Sequence, residues 1–424
     1  MSVRKRVVIV GAGFAGLNCA KVLASDPGFD ITLIDKNDYQ QFQPLLYQVA
    51  TGALSTQNAA FSLRVLFAEY ENVQVRTSEI VSVDLDKLTA TSKDGHTHAG
   101  DYLVLAAGTE VNFFRTTGAQ EHSSPLYSLR DAEQLRTRLF GLLEEADLNP
   151  SVIPSTGLSV VVVGGGPTGV EIAGAVADIF RLTPRHIYPN IDLASISVTL
   201  VDSQQAVLAP FTSESQEYAK EVLEDRGVTV RLGTAVKEVT RSSVVFADGS
   251  ELASTLVIWA GGLKAAALSQ TIALKTGVGG RLDVCDDLTV PGFPKVYALG
   301  DFANTRDQNG VNLPQLGAVA QQAGKHCANN IIADKNGNER LPFTYRDKGI
   351  MAMIGRDAAV AELGSHHVPI SGPLAFATWL GVHAALLTSF RAELEAIIEW
   401  TWDYARGIPM NPIRVHLEEE LQAR

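Results

Sequence analysis

The chain has 424 residues, a length that suggests two or three domains rather than one core. Hydrophobic residues make up 46% of it and charged residues 19%, which is typical of a globular protein and argues against disorder. A net charge of −12 argues against nucleic acid as a partner, because no basic stripe exists to neutralise phosphates. The three cysteines, Cys19, Cys285 and Cys327, are scattered and predict a reducing compartment without structural disulfides. No apolar leader precedes the first predicted strand, so we expect a cytosolic amino end.

The first predicted elements form a βαβ unit around a glycine-rich turn. Residues 7–10 predict a strand, residues 15–24 a helix and residues 31–34 a second strand. The turn reads Gly11-Ala12-Gly13-Phe14-Ala15-Gly16, in which glycines permit a close approach of the backbone to a pyrophosphate at the helix N-terminus. Asp35 follows the second strand, where a carboxylate can accept hydrogen bonds from a ribose. Dinucleotide binding is the predicted role of this turn, and packing alone is the alternative.

Short strands continue the first half of the chain. Residues 73–75 and 80–83 alternate in polarity, and Asp94-Gly95 predicts a hairpin turn after them. Residues 102–105 predict a buried strand that ends in Ala106-Ala107-Gly108-Thr109.

The same order of elements then repeats. Residues 160–163 predict a strand, residues 168–180 a helix and residues 198–201 a second strand. The intervening turn, Gly164-Gly165-Gly166-Pro167-Thr168-Gly169, predicts a second dinucleotide site. Asp202 follows the second strand, and its charge would repel a 2′-phosphate, which favours NADH over NADPH.

The repeat closes with a hairpin turn and a strand, after which one strand has no counterpart. Asp248-Gly249 predicts the turn, and residues 256–259 predict the strand that ends in Ala260-Gly261-Gly262. Residues 295–301 predict a strand that returns to the first domain and ends in Gly300-Asp301. An acid at that point can bond a ribityl chain or a diphosphate, and a simple turn is the alternative.

These motifs together resemble the flavoprotein reductases that have two dinucleotide-binding domains. The segment from Phe42 to Gly52 is similar to one in type II NADH:quinone dehydrogenases, and residues 348–352 and 400–404 agree with that family as well. The resemblance implies an α/β fold with two Rossmann-like domains and a helical C-terminal tail. The implied regions are an FAD-binding domain of residues 1–115 and 282–342, an inserted NADH-binding domain of residues 116–281, and a membrane-associating or dimerisation region of residues 343–424.

The resemblance also implies a bound FAD and NADH as a substrate, with no metal. The residues expected to hold FAD are Gly11, Gly13, Ala15, Gly16, Asp35, Lys36 and Asp301, with the backbone of Val81 near the adenine. Those expected to hold NADH are Gly164, Gly166, Gly169, Glu171 and Asp202, and further cofactor-binding candidates are Gly108, Gly261 and Gly300.

The cysteines bear on the electron acceptor. Disulfide reductases of this architecture need a cysteine pair beside the flavin, and residues 42–52 contain none. We therefore interpret all three cysteines as small buried apolar residues. Without thiols, the resemblance implies a quinone, either a menaquinone or a ubiquinone, as the acceptor.

Three residues are catalytic candidates. The family's quinone-site helix usually carries two glutamines four residues apart; Gln322 matches the second, and Ala318 stands at the first. Lys348 matches a lysine near the acceptor site, with a solvated surface lysine as the alternative. Glu171 is placed in the first turn of the second nucleotide-binding helix, where satisfying the helix dipole is the alternative role.

The C-terminal tail suggests contact with a membrane surface. Between Glu362 and Arg391 lie 28 residues without Asp, Glu, Lys or Arg. We predict an amphipathic helix in the bilayer interface rather than a spanning helix, and a second helix at residues 393–404 whose aromatic residues suit that interface. A dimer interface or a lid on the core is the alternative. The face predicted to contact the bilayer carries Phe376, Trp379, Leu380, His383, Leu387 and Phe390. Acidic residues in the same tail argue against this contact because anionic lipid would repel them; they are Glu395, Glu399, Asp403 and those in residues 416–420.

The predicted function is oxidation of NADH and reduction of a quinone, without proton pumping, by a peripheral enzyme on the cytoplasmic face of the cell membrane. A homodimer is compatible with the tail. Two other functions remain open from the sequence: a soluble NADH-dependent flavoprotein reductase of a small redox protein, and a flavin-bound NADH sensor.

Overall fold

The computed structural model describes residues 4–387 and 390–406, with side chains described except at 390–392 and 403–406. The chain divides into two compact units, and the segment from Phe42 to Ala60 belongs to the second. Residues 263–281, which the sequence places in the NADH-binding domain, belong to the first. The first unit comprises the chain up to Gln41, Phe61–Val111 and Leu263–Arg346, and the second comprises Phe42–Ala60, Asn112–Gly262 and the chain from Asp347 onward.

The helices of the described residues are, in chain order, α1 (Phe14–Ala24), α2 (Leu46–Ala50), α3 (Thr56–Ala59), α4 (Leu63–Leu66), α5 (Ala119–His122), α6 (Leu129–Leu148), α7 (Pro167–Leu182), α8 (Ser213–Asp225), α9 (Gly317–Lys335), α10 (Gly372–Leu386) and α11 (Phe390–Arg406).

The strands of the described residues are, in chain order, β1 (Lys5–Val10), β2 (Phe29–Asp35), β3 (Tyr39–Gln41), β4 (Ala60–Ser62), β5 (Val73–Thr77), β6 (Ile80–Asp84), β7 (Thr89–Ser92), β8 (Thr97–Ala99), β9 (Tyr102–Leu105), β10 (Thr109–Val111), β11 (Ser124–Pro125), β12 (Ser159–Val163), β13 (Ser197–Val201), β14 (Val228–Arg231), β15 (Val236–Val239), β16 (Ser243–Phe246), β17 (Glu251–Ala253), β18 (Leu256–Trp259), β19 (Leu263–Ala265), β20 (Leu282–Asp283), β21 (Thr289–Val290), β22 (Phe293–Ala298), β23 (Ala303–Asn304), β24 (Gly349–Gly355), β25 (Ala358–Leu363) and β26 (Val368–Ser371).

The first unit is built on a six-stranded sheet with the order β21-β22-β9-β1-β2-β5. Its strands are parallel except for β21, which pairs antiparallel with β22. Because β22 pairs with β9, the prediction that residues 295–301 return to the first sheet is confirmed for the strand. Val7 and Ile9 of β1 join the core beneath α1 and α9, whereas Val8 and Val10 join the core on the other face. Burial on both faces explains why this strand is an unbroken apolar run.

Helices α1 and α9 pack closely in the first unit. A Cβ built on Gly324 of α9 would lie 2.1 Å from the carbonyl oxygen of Ala15, so only glycine permits this contact. Cys19 and Cys327 are buried in the same core, and the pKa of the Cys327 thiol is raised by burial and by the neighbouring Cys19 thiol. The sequence did not predict that these two thiols would be neighbours. The prediction that Cys285 is buried is wrong, because it is exposed.

The second unit contains a parallel sheet with the order β11-β18-β12-β13-β14. Helix α7 also packs against the antiparallel sheet β24-β25-β26, where a Cβ on Gly174 would lie 1.8 Å from the Ile354 carbonyl oxygen. Helix α10 contacts β25, and Trp379 on α10 is fully buried. From Asp347 onward, the described part of the C-terminal region is therefore built into the second unit.

Candidate functional site

The two glycine turns, one in each unit, share the same backbone packing. Gly11 has a φ of +98°, and its Cβ would lie 2.2 Å from the Ala106 carbonyl oxygen; Gly164 has a φ of +113°, and its Cβ would lie 2.3 Å from the Ala260 carbonyl oxygen. The last glycine of each turn is equally constrained. A Cβ on Gly16 would lie 1.8 Å from the Gly11 oxygen, and one on Gly169 would lie 1.7 Å from the Gly164 oxygen. These four glycines are required by the fold of each turn itself.

The middle glycine of each turn has a different role. Gly13 and Gly166 are the N-caps of α1 and α7, and neither helix has a side-chain cap. A Cβ at either position would meet no other atom of the described chain within 4 Å. There is therefore open space beside the N-cap glycine at the uncapped start of each helix, which is the arrangement that suits a pyrophosphate.

Each predicted ribose-binding acid also holds its own turn. The Ala12 N–H donates to Oδ2 of Asp35 at 2.7 Å, and the Asn37 N–H donates to Oδ1 at 2.8 Å. In the second unit the Gly165 N–H donates to Oδ2 of Asp202, and the Gln204 N–H donates to Oδ1 at 2.7 Å. Burial raises the pKa of Asp35, and the backbone N–H donors oppose that shift. The sequence predicted the position of these carboxylates but not their bonds to the glycine turns.

Asp301 lies at a second point of the first unit that suits FAD. Gly300 has a φ of +60°, and its Cβ would lie 3.1 Å from Cβ of Ala15, which places the Gly300–Asp301 turn beside the start of α1. Burial raises the pKa of Asp301 to about 6, and the Arg281 guanidinium opposes the shift. No donor in the described residues forms a hydrogen bond to its carboxylate. A partly buried acid without a donor fits the hydroxyls of a ribityl chain.

The remaining cofactor-binding candidates lie at turns or edges. Lys36 is exposed beside Asp35 and favours its charged form. Val81 lies where the β6–β7 register shifts, so it occupies a β-bulge outside the regular pairing. Gly108 has a φ of +68° and follows β9, and Gly261 follows β18.

Glu171 does not serve the helix dipole. It is the fifth residue of α7 rather than part of its first turn, and it is only 8% exposed. The Met353 N–H of β24 donates to its Oε1 at 3.4 Å. Burial raises the pKa of Glu171 to about 8, and the donors from Met353 and Trp379 only partly offset this effect. The group is therefore a neutral acid at pH 7, which makes it able to give a proton.

A buried hydrogen-bond network, which the sequence did not predict, ends at the Met353 sulfur. The Trp400 indole donates to Oε1 of Gln48 at 2.7 Å, Nε2 of Gln48 donates to the Tyr47 hydroxyl at 2.9 Å, and that hydroxyl donates to the Met353 sulfur at 2.8 Å. Tyr47 and Gln48 belong to the segment from Phe42 to Gly52. The network thus links this segment to β24 and α11, over as many as 352 residues of sequence.

The face of α10 that was predicted to contact the bilayer packs inward instead. Trp379 is fully buried, and the His383 ring stacks on it with centroids 3.8 Å apart and planes at 18°. Nδ1 of His383 donates to the Trp379 carbonyl oxygen at 2.8 Å, and burial lowers the pKa of His383 to about 4. The physical reason is that α10 covers β25, so its most aromatic face completes the core of the second unit. The side chain of Phe390 lies outside the described residues.

Gln322 and Lys348 lie in different units. The Gln322 amide is engaged by the Arg346 backbone, donating to its oxygen at 3.0 Å and accepting from its N–H at 3.0 Å. A direct hydrogen bond from Gln322 to a quinone would require these two hydrogen bonds to Arg346 to break. Lys348 is exposed and directly precedes β24, the strand whose Met353 N–H bonds Glu171.

We expect Glu171→Gln to stabilise the protein only above the ordinary carboxyl pKa of 4.5, with a gain that grows as the pH rises to about 8. Below the ordinary carboxyl pKa of 4.5, Glu171 is neutral in both the folded and the unfolded state. Between that value and about 8 the unfolded state loses a proton that the folded state keeps, so stability falls as pH rises. Glutamine carries no such penalty. Urea unfolding should show a gain on the order of 4 kcal/mol at pH 8 and almost none near pH 4.5. The same gain at both pH values would contradict the burial of an ionisable acid.

Comparison with known proteins agrees with this geometry. A family model described as pyridine nucleotide-disulphide oxidoreductase matches residues 5–324. The type II NADH:quinone oxidoreductases Ndh and NdhA of Mycobacterium tuberculosis are 36% and 35% identical, each over 94% of this chain and over 88% and 86% of their own lengths. The structure of NDH2 from Plasmodium falciparum in complex with NADH has a TM-score of 0.87 at 22% identity, covering 97% of this chain and 100% of that one, and shows the same fold. The chain belongs to the type II NADH:quinone oxidoreductase family, within the pyridine nucleotide-disulphide oxidoreductases.

Proposed function

We propose that this protein is an FAD-dependent NADH:quinone oxidoreductase that does not pump protons. The observation that carries the proposal is the pair of matching dinucleotide turns, one in each unit, each with an open middle glycine and an acid bonded to the turn. We assign the first turn to a cofactor that stays bound and the second to a coenzyme that exchanges. The overall reaction converts NADH, a proton and a quinone into NAD⁺ and a quinol.

The residues of the first unit would hold FAD. The Gly13 turn and the uncapped start of α1 would bind the pyrophosphate of FAD. Asp35 and Lys36 would bind its ribose, and Asp301 would bind the hydroxyls of its ribityl chain. The Val81 backbone and Gly108 would line the remainder of this site. When bound, FAD would supply the redox chemistry between NADH and the quinone, as acceptor of a hydride and donor of two electrons.

The residues of the second unit would hold NADH. The pyrophosphate would lie over the Gly166 turn at the start of α7, and Asp202 would accept hydrogen bonds from the adenosine ribose. The charge on Asp202 disfavours a 2′-phosphate and so selects NADH over NADPH.

We also propose quinone-site roles for three residues. Glu171 would give a proton during quinone reduction, because it is neutral at pH 7 and buried. Lys348 and Gln322 would contribute to acceptor binding. Gln322 would do so indirectly, by fixing the position of the Arg346 backbone through its two hydrogen bonds. A groove of about 340 Å³ between α10 and α11, lined by apolar side chains that include Phe376, Leu380 and Ile397, suits a hydrocarbon chain of the quinone.

The exposed surface of α11 supports peripheral membrane association, which we place on the cytoplasmic face. Leu394, Ile398 and Trp402 recur at helical spacing and are exposed, whereas Ala396 and Trp400 of the same helix are buried. Such a helix can lie in a bilayer interface. Within the described residues, no helix combines the length and hydropathy needed to cross a bilayer. Glu399, one of the acids that anionic lipid would repel, accepts a hydrogen bond from the Ser55 N–H at 3.0 Å. The side chain of Asp403 and all of residues 416–420 lie outside the part of the chain that the structure describes.

Steady-state turnover tests the proposed function. The full chain, with FAD bound, is assayed for NADH oxidation with menaquinone and ubiquinone analogues, with and without phosphatidylcholine vesicles. We expect quinone-dependent turnover that rises with lipid. Indifference to both quinones, together with rapid reduction of an iron–sulfur protein, would support a soluble reductase instead. A homodimer would appear in light scattering and is not required by the reaction.

We expect Ile398→Gln and Trp402→Gln to release the protein from membranes without harming its chemistry. Each substitution removes apolar surface that would otherwise enter the interface, so vesicle partitioning should fall on the order of tenfold. NADH oxidation with a soluble dye should stay within about twofold, because neither side chain lies in the core. Vesicle co-sedimentation measures the first effect. Leu148→Gln, on an exposed site of α6, is the matched control, and equal partitioning of all three variants would contradict this surface assignment.

A further inference from the structure

One short segment of the second unit has a strained backbone and an exposed aromatic ring. Phe114 and Arg115 have φ values of 50° and 60°, in the left-handed region that residues with a Cβ rarely adopt. The Phe114 side chain is 60% exposed, so burial in the core does not explain why a phenylalanine occupies this position.

Hydrogen bonds from the nucleotide-binding sheet hold this segment in place. The Trp259 indole donates to the Asn112 carbonyl oxygen at 3.0 Å, and the Asn112 N–H donates to the Gly262 oxygen at 3.0 Å. The Phe114 N–H in turn donates to Oδ1 of Asn112 at 2.9 Å. The strained backbone is therefore anchored to the turn that follows β18.

The Phe114 ring lies directly on that turn. A Cβ built on Gly262 would be 3.0 Å from Cζ of Phe114, so the ring contacts this glycine. The same turn touches the dinucleotide fingerprint, because a Cβ on Gly164 would be 2.8 Å from Cα of Gly261. Gly261 and Gly262 are thus the two residues that lie between the Phe114 ring and the glycine turn that would bind the pyrophosphate.

The strand order places the ring on a defined side of the fingerprint. In the order β11-β18-β12-β13-β14, the fingerprint follows the central β12, Asp202 follows β13 on one side, and the Gly262 turn follows β18 on the other. A dinucleotide with its pyrophosphate over β12 and its adenosine ribose on Asp202 must send its other half toward β18. Phe114 is an exposed aromatic residue at that end.

We propose that Phe114 is a binding residue for the nicotinamide half of NADH, and that the left-handed backbone is retained because it presents the ring at this place. The inference rests on the proposed assignment of NADH to the second unit. An aromatic ring can pack against the nicotinamide and its ribose and exclude water from them. Its contribution is to coenzyme affinity and orientation, not to acid–base chemistry.

A comparison of two ligands tests this role. Isothermal titration of the full chain, with FAD bound, measures the Kd of NAD⁺ and of ADP-ribose, which lacks the nicotinamide. We expect Phe114→Ala and Phe114→Gly to weaken NAD⁺ binding about tenfold and to leave ADP-ribose binding within about twofold, whereas Phe114→Tyr keeps both. Val152→Ala, at an exposed site near the amino end of β12, should change neither.

The same variants separate binding from folding. Phe114→Gly also relieves the left-handed backbone, so its melting temperature should equal or exceed that of the original chain. An equal loss for both ligands, no loss for either, or a fall in flavin content in the variants would overturn the role of Phe114. If the unaltered chain binds neither NAD⁺ nor ADP-ribose, the assignment of NADH to the second unit fails as well. If it binds both, that assignment stands even where the Phe114 variants overturn the role of Phe114.

Discussion

Replacing Gly13 by alanine is expected to give a folded protein that has lost most of its flavin. Its φ of −68° suits any residue, and the added Cβ would contact no other atom of the described chain within 4 Å. The methyl group would instead enter the space in front of α1 where the pyrophosphate should lie. We expect FAD affinity to fall on the order of a hundredfold, while the melting temperature of the flavin-free protein changes little. Flavin absorbance per protein, after reconstitution and gel filtration, measures the loss.

Two other glycines serve as controls for Gly13. Gly16→Ala would place its Cβ 1.8 Å from the Gly11 oxygen, so that variant should lose on the order of 3 kcal/mol of stability or fail to fold. Gly166→Ala makes the same change in the second unit and should keep the flavin but bind NADH weakly. Full flavin content in Gly13→Ala would contradict the placement of the pyrophosphate at this turn.

Substitution of Asp202 should change the choice of coenzyme. Its carboxylate accepts hydrogen bonds from the Gly165 and Gln204 N–H groups and would repel a 2′-phosphate. Asparagine keeps an acceptor oxygen for the turn but removes the charge. We therefore expect Asp202→Asn to lower the ratio of kcat/KM for NADH to that for NADPH by about tenfold to a hundredfold. Initial rates with each coenzyme and a soluble dye give this ratio.

Asp35 provides the matched control for Asp202. Asp35→Asn makes the same chemical change at the equivalent position of the first unit, where the Ala12 N–H is the donor. It should weaken FAD binding and leave the preference between NADH and NADPH as it was. An unchanged preference in Asp202→Asn, with NADH oxidation intact, would contradict the assignment of the Asp202 carboxylate.

The nucleotide-binding parts of the fold could be predicted from the sequence because their signals are local. A strand, a glycine turn, a helix and an acid follow one another within residues 5–35 of the first half and within residues 159–202 of the second, and each signal has a direct physical cause. The turn around Gly11 and the turn around Gly164 accordingly have the predicted elements and nearly the same backbone packing. The bonds from Asp35 and Asp202 to these turns join residues 23 and 37 positions apart, and the sequence alone suggested only a ribose partner for each acid.

Contacts between distant segments could not be predicted in the same way. The Trp400 indole and the Gln48 amide are 352 residues apart, and no periodic pattern joins them. The aromatic stripe on α10 was recognised, but an apolar helical face looks the same in sequence whether it meets a bilayer or β25. The position of Glu171 was known, yet its pKa is raised by burial that the donors from Met353 and Trp379 only partly offset, and only the tertiary structure reveals that burial.

Anaerobic titration of the purified protein tests the central claim most directly. Stoichiometric NADH should bleach the yellow flavin absorbance, and a subsequent equivalent of a menaquinone or ubiquinone analogue should restore it in full. That cycle requires the chain to bind both nucleotides and to pass electrons onward to a quinone. A colourless protein that takes up no FAD, or a flavin that NADH does not bleach, would contradict the account; so would a bleached flavin that neither quinone can reoxidise.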